Sequence, residues 1–225
     1  MINKVNELFW SFTLFFKNLV LLLMSSGMEI LGKIFGGLNK VKVLRFFLLN
    51  PELSADLSEI SSVVKIGSSV LRKELNLLES IKFLSQKMAT RVNSRGGKRR
   101  VKVWQLDAAF PFVADLRRIL NYEIVEERTD VARKFRGCGR LKLVILSGMF
   151  MNDASGRVDL TIVGDDLNRR AIERVIHKME ADFGKELKYA ILETEDFNFR
   201  MFSGDKFIRD IFDYPFEYSL NKLGI

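Results

Sequence analysis

The chain has 225 residues, of which 48% are hydrophobic and 28% are charged, and its net charge is +8. This length allows one large or two small domains, and so apolar a chain with only three Pro residues is not a disordered protein. One cysteine, Cys138, and one histidine, His177, exclude an internal disulfide and argue against a structural zinc site. His177 lies in a predicted helix, where we interpret it as a surface residue.

The positive charge is concentrated in one part of the chain. Residues 28–120 contain 17 basic and 8 acidic side chains, whereas residues 121–225 contain 17 basic and 19 acidic ones. Such an asymmetry is typical of a protein with one nucleic-acid-binding segment rather than of a generally basic protein.

The first 27 residues differ from the rest. Leu8 to Met24 is almost wholly apolar, with Lys17 in its middle, and it is slightly short for a transmembrane helix of about 20 residues. Three interpretations stand: a membrane anchor or signal segment, an added dimerisation helix, or an upstream artefact of start-site choice with translation beginning at Met28.

Three helices are predicted next, over Met28–Phe35, Lys40–Leu49 and Leu53–Val64. Asn50-Pro51 ends the second, because the residue before a proline is disfavoured in a helix. The predicted inward side chains of the second and third helices are Val41, Val43, Leu44, Phe47, Leu48, Leu57, Ile60 and Val64.

A fourth helix begins after Gly67, with Ser68 and Ser69 as candidate N-caps. Its helical spacing predicts one broad, mainly apolar side formed by Val70, Leu71, Glu74, Leu75, Leu77, Leu78 and Ile81. The opposite side carries Ser69, Arg72, Lys73, Asn76 and Glu79. Arg and Asn on such a face can contact base edges in a major groove, although an ordinary solvated face would have the same pattern.

A basic hairpin follows. Phe83–Lys87 and Arg100–Leu106 are predicted strands, and residues 93–97 are rich in turn formers. From residue 82 to residue 102 there are eight Lys or Arg and no Asp or Glu, so we expect a surface that contacts a phosphate backbone.

Helices followed by a basic hairpin over residues 28–106 resemble a winged helix-turn-helix domain of the small prokaryotic repressor type. The resemblance implies binding to double-stranded DNA, with contacts from the reading helix and from the wing. The implied contacts are Ser68, Ser69, Arg72, Lys73 and Asn76 in the helix and Arg95, Lys98, Arg99, Arg100 and Lys102 in the wing.

Residues 107–136 are predicted to form a helical connector, with one helix over Phe112–Tyr122 that continues or restarts over Glu123–Phe135. Its apolar stripe is Val113, Leu116, Ile119 and Leu120. The stripe is interpreted either as a dimerisation surface or as packing against the next domain.

Residues 137–225 are predicted to form a second, small domain of strands and helices. The predicted elements are the strands Leu141–Leu146, Arg157–Gly164, Lys185–Leu192 and Phe216–Leu220 and the helices Leu167–Phe183, Thr194–Phe202 and Asp205–Phe212.

Ser147-Gly148 after the first of these strands, and Asp159 on the next, resemble the minimal nucleotidyltransferases. The resemblance implies that Ser147 and Gly148 bind nucleotide phosphates and that Asp159 and the residue two positions on hold magnesium. That second residue is Thr161, which cannot replace a carboxylate, so we expect a vestigial site without catalytic residues or a metal. Alternatively, Asp159 is a structural acid satisfied by Arg157 or by backbone N–H groups.

A third acid would lie on the following strand, where Tyr189 and Ile191 are the expected inward residues and Glu193 is an edge candidate. Together, the two resemblances predict an α+β protein with an N-terminal winged helix-turn-helix and a nucleotidyltransferase-like α/β domain, similar to a family of uncharacterised prokaryotic regulators.

The sequence therefore predicts a cytoplasmic, homodimeric DNA-binding transcriptional regulator without a cofactor; magnesium and nucleotide would enter only if the second domain still binds a ligand. One alternative is a nucleotidyltransferase that modifies protein or RNA. Another is a toxin–antitoxin-type or membrane-tethered interaction protein that binds a partner protein, although a membrane partner is not expected.

Overall fold

The computed structural model describes residues 27–92, 97–126, 131–151, 153 and 156–225, and within residues 121–126 it describes the backbone only. It is a mixed helix and sheet protein, so the α+β class is confirmed. The apolar N-terminal stretch lies outside the described residues. Among the described helices, none has both the length and the apolar character that a bilayer crossing requires.

The chain divides into two compact units, Met1–Val41 and Lys42–Ile225. In the first unit, helix α1 spans Gly27–Phe35, and helix α2, Leu38–Leu49, begins there and continues into the second unit. The predicted inward residues of α2 are all buried. The predicted domain boundaries at residues 106 and 137 fall inside the second unit and remain predictions.

The first part of the second unit is a sheet with two helices. Strand β1, Ala55–Asp56, leads into helix α3, Leu57–Val64, and helix α4, Ser68–Ser80, which are followed by strands β2, Leu84–Val92, and β3, Lys98–Leu106. The three strands are antiparallel in the order β1-β3-β2. The hairpin is longer than predicted, and residues 93–96 of its turn, including Arg95, lie outside the described residues.

Helix α3 starts four residues later than predicted, because Asp56 caps it. Asp56 Oδ1 accepts hydrogen bonds from the backbone N–H of Ser58 (2.8 Å) and Glu59 (2.9 Å), and Glu59 Oε2 accepts from the Asp56 N–H (2.7 Å). This reciprocal capping box stabilises the first turn. It also lets the residues before it pair with β3 as a short strand, with Ala55 opposite Trp104.

Helix α4 begins as predicted, but its N-cap is Gly67, which has no side chain that could cap the first turn. Ser68 and Ser69 are therefore first-turn residues and not caps. The buried stripe is narrower than predicted: Leu71, Leu75 and Leu78 are buried, while Val70, Leu77 and Ile81 are 40–51% exposed.

The connector forms helix α5, Val113–Glu126, and a short helix α6, Val131–Lys134. In its predicted stripe Leu120 is fully buried and Ile119 is 48% exposed, so the stripe is only partly used in packing.

The rest of the unit is a four-stranded sheet covered on both faces. Its order is β6-β5-β4-β7, with β5 and β6 parallel and the other pairs antiparallel. The strands are β4 (Arg140–Ser147), β5 (Leu160–Asp165), β6 (Tyr189–Glu193) and β7 (Phe216–Asn221). The helices are a 3₁₀ turn (Gly148–Met151), α7 (Arg169–Phe183), α8 (Thr194–Phe202) and α9 (Lys206–Phe212).

Alternate strand residues enter two apolar cores, because neighbouring side chains of a strand point to opposite faces. Val144 and Ile162 pack with α7 in one core, and Leu143 and Val163 pack with α8 and α9 in the other. Strand β5 begins three residues later than predicted, and β6 begins four residues later.

Buried Arg45 of α2, 1% exposed, joins this layer to the preceding helices. Its Nε donates to the Leu120 carbonyl (2.9 Å) and its Nη1 to the Asp182 carbonyl (3.1 Å). Because hydrogen bonds from a charged donor are among the stronger ones, these contacts hold α2, α5 and α7 in a fixed arrangement within the second unit.

Candidate nucleic-acid interface

The exposed face of α4 carries the polar residues that the sequence predicted. Ser68, Ser69, Arg72, Lys73 and Asn76 are all solvent-exposed. The buried leucines on the opposite side fix the helix, so these side chains project from a rigid element.

Strand β3 brings a row of cations to the same region. Lys98, Arg100 and Lys102 share one face of the strand with Trp104, since residues two apart point to the same side. Trp104 is only 5% exposed, and its Nε1 donates to Glu79 Oε2 of α4 (3.1 Å). The Trp104–Glu79 hydrogen bond therefore holds this face of β3 beside α4.

A groove of about 890 Å³ lies between these elements. It brings together most of the residues that the sequence predicted as DNA contacts: Ser68, Arg72, Asn76, Arg99, Arg100 and Lys102. Its one acidic lining residue is Asp56, whose carboxylate is already engaged in capping α3. The other polar residues that line the groove are therefore cationic or neutral.

Three serines of α3 also line the groove, and the sequence prediction missed them. Ser61 Oγ donates to the Ile66 carbonyl (2.7 Å) and Ser62 Oγ to the Glu59 carbonyl (2.7 Å); the third is Ser58. The sequence signal for them is the serine cluster of this short helix, Leu57-Ser58-Glu59-Ile60-Ser61-Ser62.

Arg91 is one of the eight basic residues of the hairpin segment, but it has a structural contact. Its Nη2 donates to the Ser54 carbonyl (2.6 Å) and to Glu59 Oε2 (3.0 Å), and its Nε lies 3.0 Å from Glu59 Oε1. It thereby ties β2 to the capping box of α3. In the hairpin it stands directly opposite Arg99, and Glu59 offsets part of that like-charge repulsion.

The second predicted site, Ser147, Gly148 and Asp159, also comes together in space. Asp159 is 8% exposed; its Oδ1 accepts from the Met149 N–H (2.8 Å) and its Oδ2 from the Lys188 N–H (2.9 Å). Gly148 lies so close to this carboxylate that a side chain there would collide with Oδ1. Ser147 is buried, and its Oγ donates to the Val158 carbonyl (2.7 Å).

These contacts match the alternative in which backbone N–H groups satisfy Asp159. Arg157 has another partner, since its Nε lies 2.6 Å from Asp210 Oδ2. The carboxylate joins the turn after β4 to the start of β6, a structural use of the acid.

Thr161, at the position of a second acid, is fully buried, and its Oγ1 has no hydrogen-bond partner among the described residues. The parallel register places Ala190 beside Thr161, and places Tyr189 and Ile191 beside Leu160 and Ile162. The prediction that Tyr189 and Ile191 share the face of the acids was therefore wrong by one residue. A one-residue register error moves every side chain of a strand to the other face. Glu193 is exposed and is the N-cap residue of α8.

Over the described part of the chain, no group of three or more His, Cys, Asp and Glu side chains is placed to hold a metal ion. His177 is exposed, as predicted, and its Nδ1 lies 2.7 Å from Glu180 Oε2.

The sequence matches no protein-family model and no curated protein. The residues and their geometry alone therefore support the assignments that follow.

Proposed function

We propose that the protein is a transcriptional regulator that binds double-stranded DNA through a winged helix-turn-helix formed by α2, β1, α3, α4 and the β2–β3 hairpin. In this assignment α4 enters the major groove and the hairpin is the wing. The observation that carries the proposal is the groove in which Arg72 and Asn76 of α4 face Arg100 and Lys102 of β3.

Contacts of two kinds follow from the chemistry of these residues. Arg72 and Asn76 can form bidentate hydrogen bonds with base edges, a guanine for Arg and an adenine for Asn. The wing cations, together with Ser58 and Ser68, would contact phosphates, which position the protein without selecting a sequence. Ser61 and Ser62 are not included, because each hydroxyl donates its one proton to a backbone carbonyl.

We further propose a homodimer, because paired reading helices meet successive major grooves of a two-fold operator. Phe112 and Ile119, which are 59% and 48% exposed, provide apolar surface beside and on α5 for such a pairing. A measurement of molar mass by light scattering tests it, and a monomer at micromolar concentration would contradict this part of the proposal.

The proposed location of the protein is the cytoplasm. In the same proposal, residues 137–225 are a nucleotidyltransferase-like domain that has lost transfer chemistry. Support comes from Asp159, whose two oxygens accept backbone N–H bonds, and from Thr161, which is buried where a second metal ligand would be needed.

The decisive experiment compares the binding of the full chain to random and selected duplexes over a range of salt concentrations. Arg100→Ala combined with Lys102→Ala should weaken binding to every sequence and lower the slope of log K against log salt by about 2, since each phosphate contact contributes about 0.9. Arg72→Ala should instead cost about 1–3 kcal/mol of discrimination at one base pair.

The matched control is Lys178→Ala combined with Lys206→Ala, which removes two exposed lysines outside the groove. If the wing variant and this control had equal salt slopes, the wing assignment would be wrong. If the wild-type chain did not bind duplex DNA at low salt, the whole proposal would fail.

A further inference from the structure

A second basic surface lies outside the proposed DNA-binding groove. Residues 131–142 contain five Lys or Arg and no Asp or Glu, although residues 121–225 as a whole have more acidic than basic side chains. The average over this half of the chain conceals the local cluster.

Apolar anchors fix this segment to the core. Val131, Phe135 and Cys138, spaced four and three residues apart, are 1%, 0% and 4% exposed and belong to the core beneath α7. The Ala132 N–H donates to Ser219 Oγ of β7 (2.9 Å). The side chains between these anchors, Arg133, Lys134 and Arg136, are exposed, so a rigid backbone presents the cations.

A depression of about 810 Å³ lies between this segment and strands β4 and β7. Its charged lining residues are all cationic, namely Arg133, Arg136, Arg140, Lys142 and Lys222. Its volume is in the range of small-molecule sites, but its lining is much more cationic than that of a typical apolar pocket.

Two acids outside the depression neutralise part of this charge. Arg140 Nη2 lies 2.8 Å from Asp166 Oδ2, and Lys142 Nζ lies 3.7 Å from Asp165 Oδ2. The neighbouring Thr194 hydroxyl, together with the Lys142 and Arg140 cations, lowers the pKa of Asp165, so that acid stays charged. The Arg140–Asp166 pair is 70% and 78% exposed, and such surface pairs are weak enough for a phosphate to replace the acid.

We propose that this depression is a second anion site, which binds two or more linked phosphate groups through Arg136, Arg140 and Lys222. Guanidinium groups suit phosphates because their planar N–H donors form paired hydrogen bonds with the oxygens. The phosphates belong either to a free polyphosphate or to the backbone of DNA held by the protein, and only the second source rests on the proposed function.

The test uses the full chain and the double variant Arg136→Ala, Lys222→Ala, both of whose side chains are exposed. The control is Lys178→Ala with Lys206→Ala, which removes the same charge elsewhere. Calorimetry measures the binding of sodium tripolyphosphate and so tests for a free polyphosphate. The salt dependence of binding to 12- and 30-base-pair duplexes tests for the DNA backbone.

Binding of about one tripolyphosphate per chain that weakens tenfold or more only in the Arg136/Lys222 variant supports a polyphosphate site, because two charge-assisted contacts are lost. A salt slope for the longer duplex that falls by about 2 in the same variant supports the DNA backbone as the source. If this variant behaves like the control with both probes, the proposal is overturned. If the wild-type chain does not bind DNA, the proposed function is refuted. The tripolyphosphate result alone then decides whether the depression is an anion site.

Discussion

Replacement of Asp159 by alanine separates the two interpretations of this residue. In the structure the carboxylate holds two segments at once, the turn after β4 through the Met149 N–H and the start of β6 through the Lys188 N–H. Asp159→Ala removes both acceptors and leaves both backbone donors without their partner.

The expected loss of stability follows from those two donors. Each buried donor that loses its acceptor costs about 1–3 kcal/mol. The lower half of that range applies, because both bonds are only partly buried and water can reach the donors. We therefore expect the free energy of unfolding to fall by about 2–4 kcal/mol, a large share of the 5–15 kcal/mol typical of a domain.

Urea denaturation of the full chain, followed by circular dichroism, measures this change. Asp213→Ala is the control, because Asp213 is an exposed carboxylate with an ordinary helical backbone, and its loss should change the free energy by about 0.5 kcal/mol or less. If Asp159→Ala were as stable as the wild type while abolishing a transfer of labelled nucleotide that the wild type performs, the structural interpretation would be refuted and Asp159 would be a catalytic ligand.

Three further predictions concern local contacts. Asp56→Ala should lower stability by about 1–2 kcal/mol in thermal unfolding, because α3 loses its cap. Gly184→Ala should cost about 2–5 kcal/mol in urea, since its φ is +71° and a Cβ would lie 2.6 Å from the Phe46 nitrogen; an Ala variant of normal stability would contradict the packing of α7 on α2. Burial raises the pKa of the Cys138 thiol, so a thiol reagent at neutral pH should react slowly with the native chain and rapidly in urea, and equal rates would refute its burial.

Local sequence signals were sufficient for most of the secondary structure and for the exposed polar face of α4. Periodicity placed Leu71, Leu75 and Leu78 inward and Arg72 and Asn76 outward, because the exposure of a helical residue depends mainly on its angular position relative to the core. The same reasoning predicted β3 and the helices α7, α8 and α9 within two residues of their ends, whereas β2 extends five residues further than predicted.

Other features depended on partners far away in the chain. The pairing of Ala55 with Trp104 made a strand where helical periodicity predicted a helix, and the parallel register of β5 and β6 put Ala190 beside Thr161. Neither pairing is encoded in a local pattern, because a strand selects its partner through hydrogen bonds with a distant segment.

The roles of charged side chains were also decided by the tertiary structure. Sequence alone indicated that the hairpin is basic, but only the fold directs Arg91 to Glu59 while leaving Arg100 and Lys102 in the groove. A charge count records how many cations a segment has, and the packing of the chain determines which of them already have an acidic partner. In the same way, the sequence placed Asp159 next to a Ser-Gly turn, and the fold supplied the two backbone donors that occupy its carboxylate.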